Sequence, residues 1–134
     1  MAKHRFHVQL RWADFDAMAH VNNTAYFEFM QDARVSLIQE MGHGRSSLQR
    51  ISHFVARNEI DYIKPIEMDE QQITVELWIS RFGGASYDVS YEILNQRGEI
   101  CAKAKSVMVT VEVATGTVIR VPDEVREALA GFTG

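Results

Sequence analysis

Apolar and polar residues alternate along most of this chain, and a long helical period interrupts the alternation near its start. From His4 to Ala13, Phe6, Val8, Leu10 and Trp12 alternate with Arg5, His7, Gln9 and Arg11, which is the period of a half-buried strand. From about Asn23 to about Met41 the spacing changes. Tyr26, Phe29, Met30, Ala33, Leu37 and Met41 recur at helical intervals, and Ala25, Phe27 and Ile38 widen the stripe. So wide a stripe predicts a helix covered on much of its circumference. Asn22 is its candidate N-cap, Val21 and Tyr26 a hydrophobic staple, and Gly42 its stop.

Gly42 to Ser52 reads as a loop, with room for one helical turn. Strand patterns follow at His53 to Ile63, Gln72 to Phe82, Ser86 to Asn95 and Glu99 to Val113. Gly83-Gly84, Gln96-Arg97-Gly98 and Ala114-Thr115-Gly116 supply the turns. Thr117 to Val121 adds a short pairing segment. Pro122, at a first helical position, opens a short helix over Asp123 to Ala130. Strands joined by tight turns pair antiparallel, and a lone apolar helix needs a sheet to cover it. The expectation is an α+β fold in which a curved antiparallel sheet wraps around one long central helix. With no repeat or linker in the pattern, residues 1–134 read as a single domain.

Composition narrows the function. A chain of 134 residues can bury one real core. Its net charge of −4 argues against general nucleic-acid binding. The single cysteine, Cys101, fits a reducing compartment and reads as a small buried hydrophobe. No apolar run is long enough to span a bilayer and no signal core is visible, so the expectation is a cytoplasmic protein without a membrane partner. His4, His7, His43 and His53 show no metal-ligand spacing with a carboxylate or cysteine, and no metal is expected.

The candidate chemistry is concentrated between strand and helix. Asp14-Phe15-Asp16-Ala17-Met18-Ala19-His20-Val21-Asn22-Asn23-Thr24-Ala25-Tyr26 holds two carboxylates, an imidazole, two amides and a phenol. A helix N-terminus exposes free N–H groups and the positive end of its dipole, which suits a developing negative charge. An acid beside it can attack a carbonyl or activate water. Taken alone, Asp16 reads equally as a turn residue or cap. Asp14 is expected to be structural, bonding the loop backbone. Arg34, on a half-buried helix face, needs a carboxylate partner in the chain or across an interface. Glu59, between Arg57 and Asp61 on one strand face, reads as part of a solvated face that a second subunit could reach.

The string Asp16-Ala-Met-Ala-His20-Val21-Asn22-Asn23-Thr-Ala-Tyr26, followed by Ala33-Arg34, resembles the 4-hydroxybenzoyl-CoA thioesterase branch of the hotdog acyl thioesterases. That resemblance implies the hotdog fold, hydrolysis of an acyl-CoA thioester without a cofactor, and active sites at the interface of a homodimer, often paired again into a dimer of dimers. It matches Asp16 to the catalytic aspartate, as nucleophile or general base, and the backbone N–H of Asn23 to the donor that polarises the thioester carbonyl. His20 would orient Asp16 or water, or serve as a hydrogen-bonded structural histidine. Tyr26 and Asn22 would line the substrate site. The turn that is basic in the 4-hydroxybenzoyl-CoA enzyme is Gly83-Gly84-Ala85 here, leaving Arg81 and Ser86, with Arg57, Lys64 or Arg120, to meet the carrier's phosphates. Acyl carrier protein is the alternative carrier. A non-catalytic acyl-thioester binding module on the same fold is the alternative function. Met18, Met30, Met41, Met68 and Met108 are expected in the core or the acyl pocket.

Overall fold

The computed structural model describes residues 2–41 and 50–134. The elements are β1 (His4–Gln9), a 3₁₀ turn (Trp12–Asp14), α1 (Ala25–Met41), β2 (Ile51–Tyr62), β3 (Gln72–Phe82), β4 (Ser86–Leu94), β5 (Ile100–Glu112), β6 (Thr117–Ile119) and α2 (Asp123–Ala130). The main strands form one antiparallel sheet in the order β1-β3-β4-β5-β2, with β6 paired to β5. Ile73, Val75, Leu77 and Ile79 of β3 and Tyr87, Val89, Tyr91 and Ile93 of β4 are buried in the cluster that receives α1. The helix contributes Ala25, Tyr26, Phe29, Met30, Ala33, Leu37 and Met41, one stripe at the expected spacing. Each large side chain buried in this way stabilises by about 1.5–3 kcal/mol. This is the expected hotdog architecture.

Several expectations are corrected. β1 ends at Gln9, and Trp12 leaves the apolar face for a 3₁₀ turn where it is 82% exposed. The cause is Asp14, whose carboxylate accepts the Arg11 N–H (2.8 Å) and the Arg11 guanidinium (2.8 Å) and bends the chain there. Among the described residues, the helix is covered on one face only. Phe27 and Val35 are exposed because a single sheet packs against it. Helix α1 opens at Ala25, with Asn23 and Thr24 in the preceding turn. β2 begins at Ile51 and so takes in Ile51 and Ser52, the end of the expected loop. Pro122 precedes α2 as its cap residue, and its carbonyl accepts the N–H groups of Val125 and Arg126. Gly42, the expected helix stop, His43 and most of the expected loop lie outside the described residues. Met30, Met41 and Met108 are core, whereas Met18 and Met68 are exposed.

Two polar clusters fasten the end of the sheet that carries the candidate site. Asp14 is buried, and its carbonyl accepts the Asn22 N–H (2.8 Å), tying the 3₁₀ turn to the start of α1. Glu99 accepts from Lys64 Nζ (2.6 Å), Asn95 Nδ2 (2.9 Å) and Arg97 Nε (3.0 Å) at the β4–β5 turn. Those donors, Lys64 foremost, hold the Glu99 carboxyl at about 2.

Asp14→Ala leaves the Arg11 N–H without its carboxylate and is expected to cost about 2 kcal/mol of stability, read from urea unfolding. The Glu99 contribution depends on pH with a definite sign. Its carboxyl is depressed in the folded chain, so its contribution is complete above the ordinary value of 4.5 and disappears as pH falls through about 2. The gap in urea midpoint between wild type and Glu99→Gln should therefore be flat near neutral pH and close in acid. A gap that widens in acid would contradict the assignment.

Candidate active site

Asp16 sits at the first position of a tight reversal. Phe15 pairs with Val21 across it, the Asp16 N–H donates to the His20 carbonyl (3.1 Å), and the Ala19 N–H donates to the Asp16 carbonyl (3.0 Å). The Asp16 side chain completes the turn, with Oδ1 accepting the Met18 N–H (2.9 Å). Ala19 then takes the left-handed conformation, φ 61°, a place where glycine is usual. For a residue with a Cβ this costs roughly 1 kcal/mol. The return limb is held from outside: His20 pairs with Glu67, the Val21 N–H donates to Ile66 (2.8 Å), and the Met68 N–H donates to Ala19 (3.1 Å). The turn reading and the acid reading of Asp16 thus coexist. One carboxylate oxygen builds the loop, and among the described residues Oδ2 has no partner.

The helix start is built next to it. Asn22 Oδ1 accepts the Thr24 N–H (3.0 Å) and the Thr24 hydroxyl (2.9 Å), and the Asn22 carbonyl accepts the Ala25 N–H (3.0 Å). Asn22 is therefore the cap, as its position predicts. Among the described residues no acceptor takes the Asn23 N–H. Asp16, His20, Asn23 and Tyr26 line one open pocket of about 340 Å³, together with Met18, Val21, Tyr62, Ile63, Lys64 and Pro65. Val21 and Tyr26 are buried at its base, and burial pushes the Tyr26 phenol up to about 12. His20 is half-buried, with no side-chain hydrogen bond among the described residues.

Sequence reasoning named Lys64 as a phosphate contact but missed the rest of the opposite wall. Tyr62 donates from its hydroxyl to the Asn23 carbonyl (2.9 Å) and stands edge-on to Tyr26, with ring centroids 5.0 Å apart. Lys64 reaches the rim while bound to Glu99. The available signal was the apolar pair Tyr62-Ile63 running into Pro65, at the point where a strand pattern stops.

Other expected site residues lie elsewhere. Arg81 is near the far end of β3 from Gln72, roughly 30 Å away at about 3.3 Å per residue. Its guanidinium forks onto Asp88 (2.9 and 3.0 Å) and reaches Ser86 Oγ (2.9 Å). A Cβ at Gly83 would fall 2.7 Å from Arg81 Nη1 and 3.2 Å from the Ser86 carbonyl oxygen, so a side chain there would require the guanidinium to shift. Arg126 holds the turn from below through the carbonyls of Gly83 and Gly84. Glu59 lies on the solvated face with Arg57 (3.7 Å) and Lys105 (3.1 Å). Within this chain, Arg81, Ser86 and Glu59 are not among the residues around the Asp16 pocket. Arg34 departs from its expected carboxylate: it donates to Tyr91 Oη (3.0 Å) and Ser106 Oγ (3.4 Å), and no acid partners it among the described residues.

Residues 10–129 match the sequence profile of the thioesterase-like superfamily. YneP of Bacillus subtilis (strain 168) is 31% identical over 108 residues, covering 78% of this chain and 77% of that protein. The long-chain acyl-CoA thioesterase FadM of Escherichia coli (strain K12) is 25% identical over 124 residues, covering 91% of this chain and 93% of that protein. Among solved structures, a predicted thioesterase from Bacillus stearothermophilus superposes with a TM-score of 0.85 at 27% identity, covering 99% of this chain and 98% of the other. No helix of the described residues is long and apolar enough to cross a membrane. With that match spanning most of its length, and with the acid and the capped helix start meeting in one pocket, the chain belongs to the thioesterase-like superfamily, a family of thioester hydrolases.

Proposed function

We propose that this protein hydrolyses acyl-CoA thioesters at the Asp16 pocket. The observation that carries the reading is the meeting of Asp16 with the N-terminus of α1 in one cavity, with the Asn23 N–H unclaimed among the described residues. The substrate carbonyl oxygen would take that N–H, and one such donor is typically worth about 3 kcal/mol of barrier. The free Asp16 oxygen then acts in one of two ways. It attacks the carbonyl carbon, expels the CoA thiolate and leaves a mixed anhydride that water splits into acid and aspartate. Or it takes a proton from water, and the hydroxide attacks directly. Both end in free acid and CoA thiol. His20 lines the same pocket and would orient the water, and Tyr26 and Asn22 support the acyl side.

The assembly we propose is a homodimer, with a dimer of dimers as its extension, in the cytoplasm. β2 is a long strand at the sheet edge, and Phe54, Val55 and Tyr62 on it, with Ile63 just beyond its end, are exposed. A bare apolar edge of this kind is a pairing surface. A second β2 laid against it would continue the sheet and bring another subunit beside the Asp16 pocket. Because Arg81 is already engaged with Asp88 and Ser86, outside that pocket, carrier phosphates would be met by the neighbouring subunit or by Lys64. An acyl carrier protein remains the alternative carrier.

Asp16→Ala should retain its fold and lose about 10³-fold in kcat, followed by thiol release from a panel of acyl-CoAs of varied length and aromaticity. Wild-type turnover in that variant would remove Asp16 from the mechanism. Tight acyl-CoA binding by the wild type without thiol release would leave the binding-module reading instead. Sedimentation should give a mass of two or four 15.3 kDa chains, and a monomer at micromolar concentration would refute the assembly.

A further inference from the structure

We propose that Tyr62 is a positioning residue for the thioester carbonyl, fixing through its hydroxyl the direction in which the Asn23 N–H points. The proposal rests on the reading of Asn23 as the carbonyl donor. Two planar peptide units meet at Asn23, joined by two soft dihedrals. The first carries the Asn23 N–H and the Asn22 carbonyl, which accepts from Ala25 (3.0 Å). The second carries the Thr24 N–H, bound to Asn22 Oδ1 (3.0 Å), and the Asn23 carbonyl, bound to Tyr62 (2.9 Å). The first two bonds are local to the turn. Among the described residues, the Tyr62 bond alone ties the second unit to another element.

Tyr62 is itself firmly aimed. It is the last residue of β2, paired with Ala102 of β5. Immediately after it, the Ile63 and Lys64 N–H groups both donate to the Cys101 carbonyl (2.9 and 3.0 Å), so the strand ends at a defined point. The ring leans edge-on against buried Tyr26 (5.0 Å), which sets the reach of the hydroxyl. Partial burial raises the phenol above its ordinary value, so it remains a donor throughout the neutral range. The Asn23 carbonyl points at this hydroxyl, and the N–H is left for the cavity that both residues line. A small loss of aim in such a donor is costly, because the reacting carbonyl must be met within a narrow range of geometry.

Tyr62→Phe separates this role from packing, since it keeps the ring against Tyr26 and removes only the hydroxyl. Expected is a roughly ten-fold fall in kcat with KM within two-fold of wild type. Amide hydrogen exchange at Thr24, whose N–H is bound to Asn22 Oδ1, should quicken in the same variant, in the absence of substrate. Unchanged kcat, or a higher KM at unchanged kcat, would overturn the proposal and leave Tyr62 as a pocket wall. Unchanged exchange would overturn it as well, because the hydroxyl would then not be holding the turn. These failures are read against an active wild type and an inactive Asp16→Ala. A wild type that releases no thiol would sink the hydrolase reading itself, and this role with it.

Discussion

The buried Asp14 carboxylate joins the fold to the candidate chemistry. Its two oxygens stop β1 by holding Arg11, and its carbonyl receives the N–H of Asn22. Asn22 then caps α1 with its own side chain. The end of a strand, the beginning of a helix and the reversal between them are therefore set by one residue and its immediate partners. Charge-assisted bonds to a carboxylate this deeply buried are worth more than the same bonds at the surface, and more is lost when one is left unmade. Asp16, two residues on, adds its own turn bonds to a frame already fixed beside it.

The second constraint lies at the other flank of the helix. Arg34 is half-buried, yet it is answered by hydroxyls: Tyr91 and Ser106, with Ser106 donating in turn to Asn58 Oδ1 (2.5 Å). A guanidinium keeps its charge in such a place, so the network must neutralise by dipoles what a carboxylate would neutralise by charge. Asn58 belongs to β2, the exposed edge strand. The polar chain thus runs from the helix through the sheet to the surface where a second subunit would sit. Helix and edge strand are coupled there by hydrogen bonds, while the apolar stripe couples helix and sheet by area.

Period accounts for what the sequence made legible. β3, β4 and β5 bury every second residue, and the spacing of Val75, Leu77 and Ile79 or of Val89, Tyr91 and Ile93 says so directly. The stretch from Asp16 to Asn23 was legible because turn and cap chemistry act within a few residues. What failed depended on distance. Trp12 continues the strand alternation on paper, and only the side chain of Asp14 turns it outward. Arg34 advertises a missing acid, and nothing local reveals that Tyr91 and Ser106 stand in its place. Arg81 and Ser86 looked available for phosphates because the acid that holds Arg81, Asp88, is its cross-strand neighbour, and Arg81 in turn donates to Ser86. Tyr62 is separated from Asn23 by 39 residues, and only the packed sheet brings them together.

The division of labour within Asp16 follows from the same frame. A catalytic carboxylate on a loose loop would lose its advantage to entropy, since orientation is a large part of what a site supplies. Here Oδ1 is spent on the Met18 N–H, and that bond fixes a carboxylate whose residue lines the pocket shared with Asn23. The left-handed Ala19 is tolerated because both limbs of the reversal are pinned, by Phe15–Val21 on one side and by Ile66 and Glu67 on the other. Strain held by its surroundings in this way is a mark of a geometry that is required and not merely permitted. The residue that forms the turn and the residue that would do the chemistry are one and the same because the turn is what aims it.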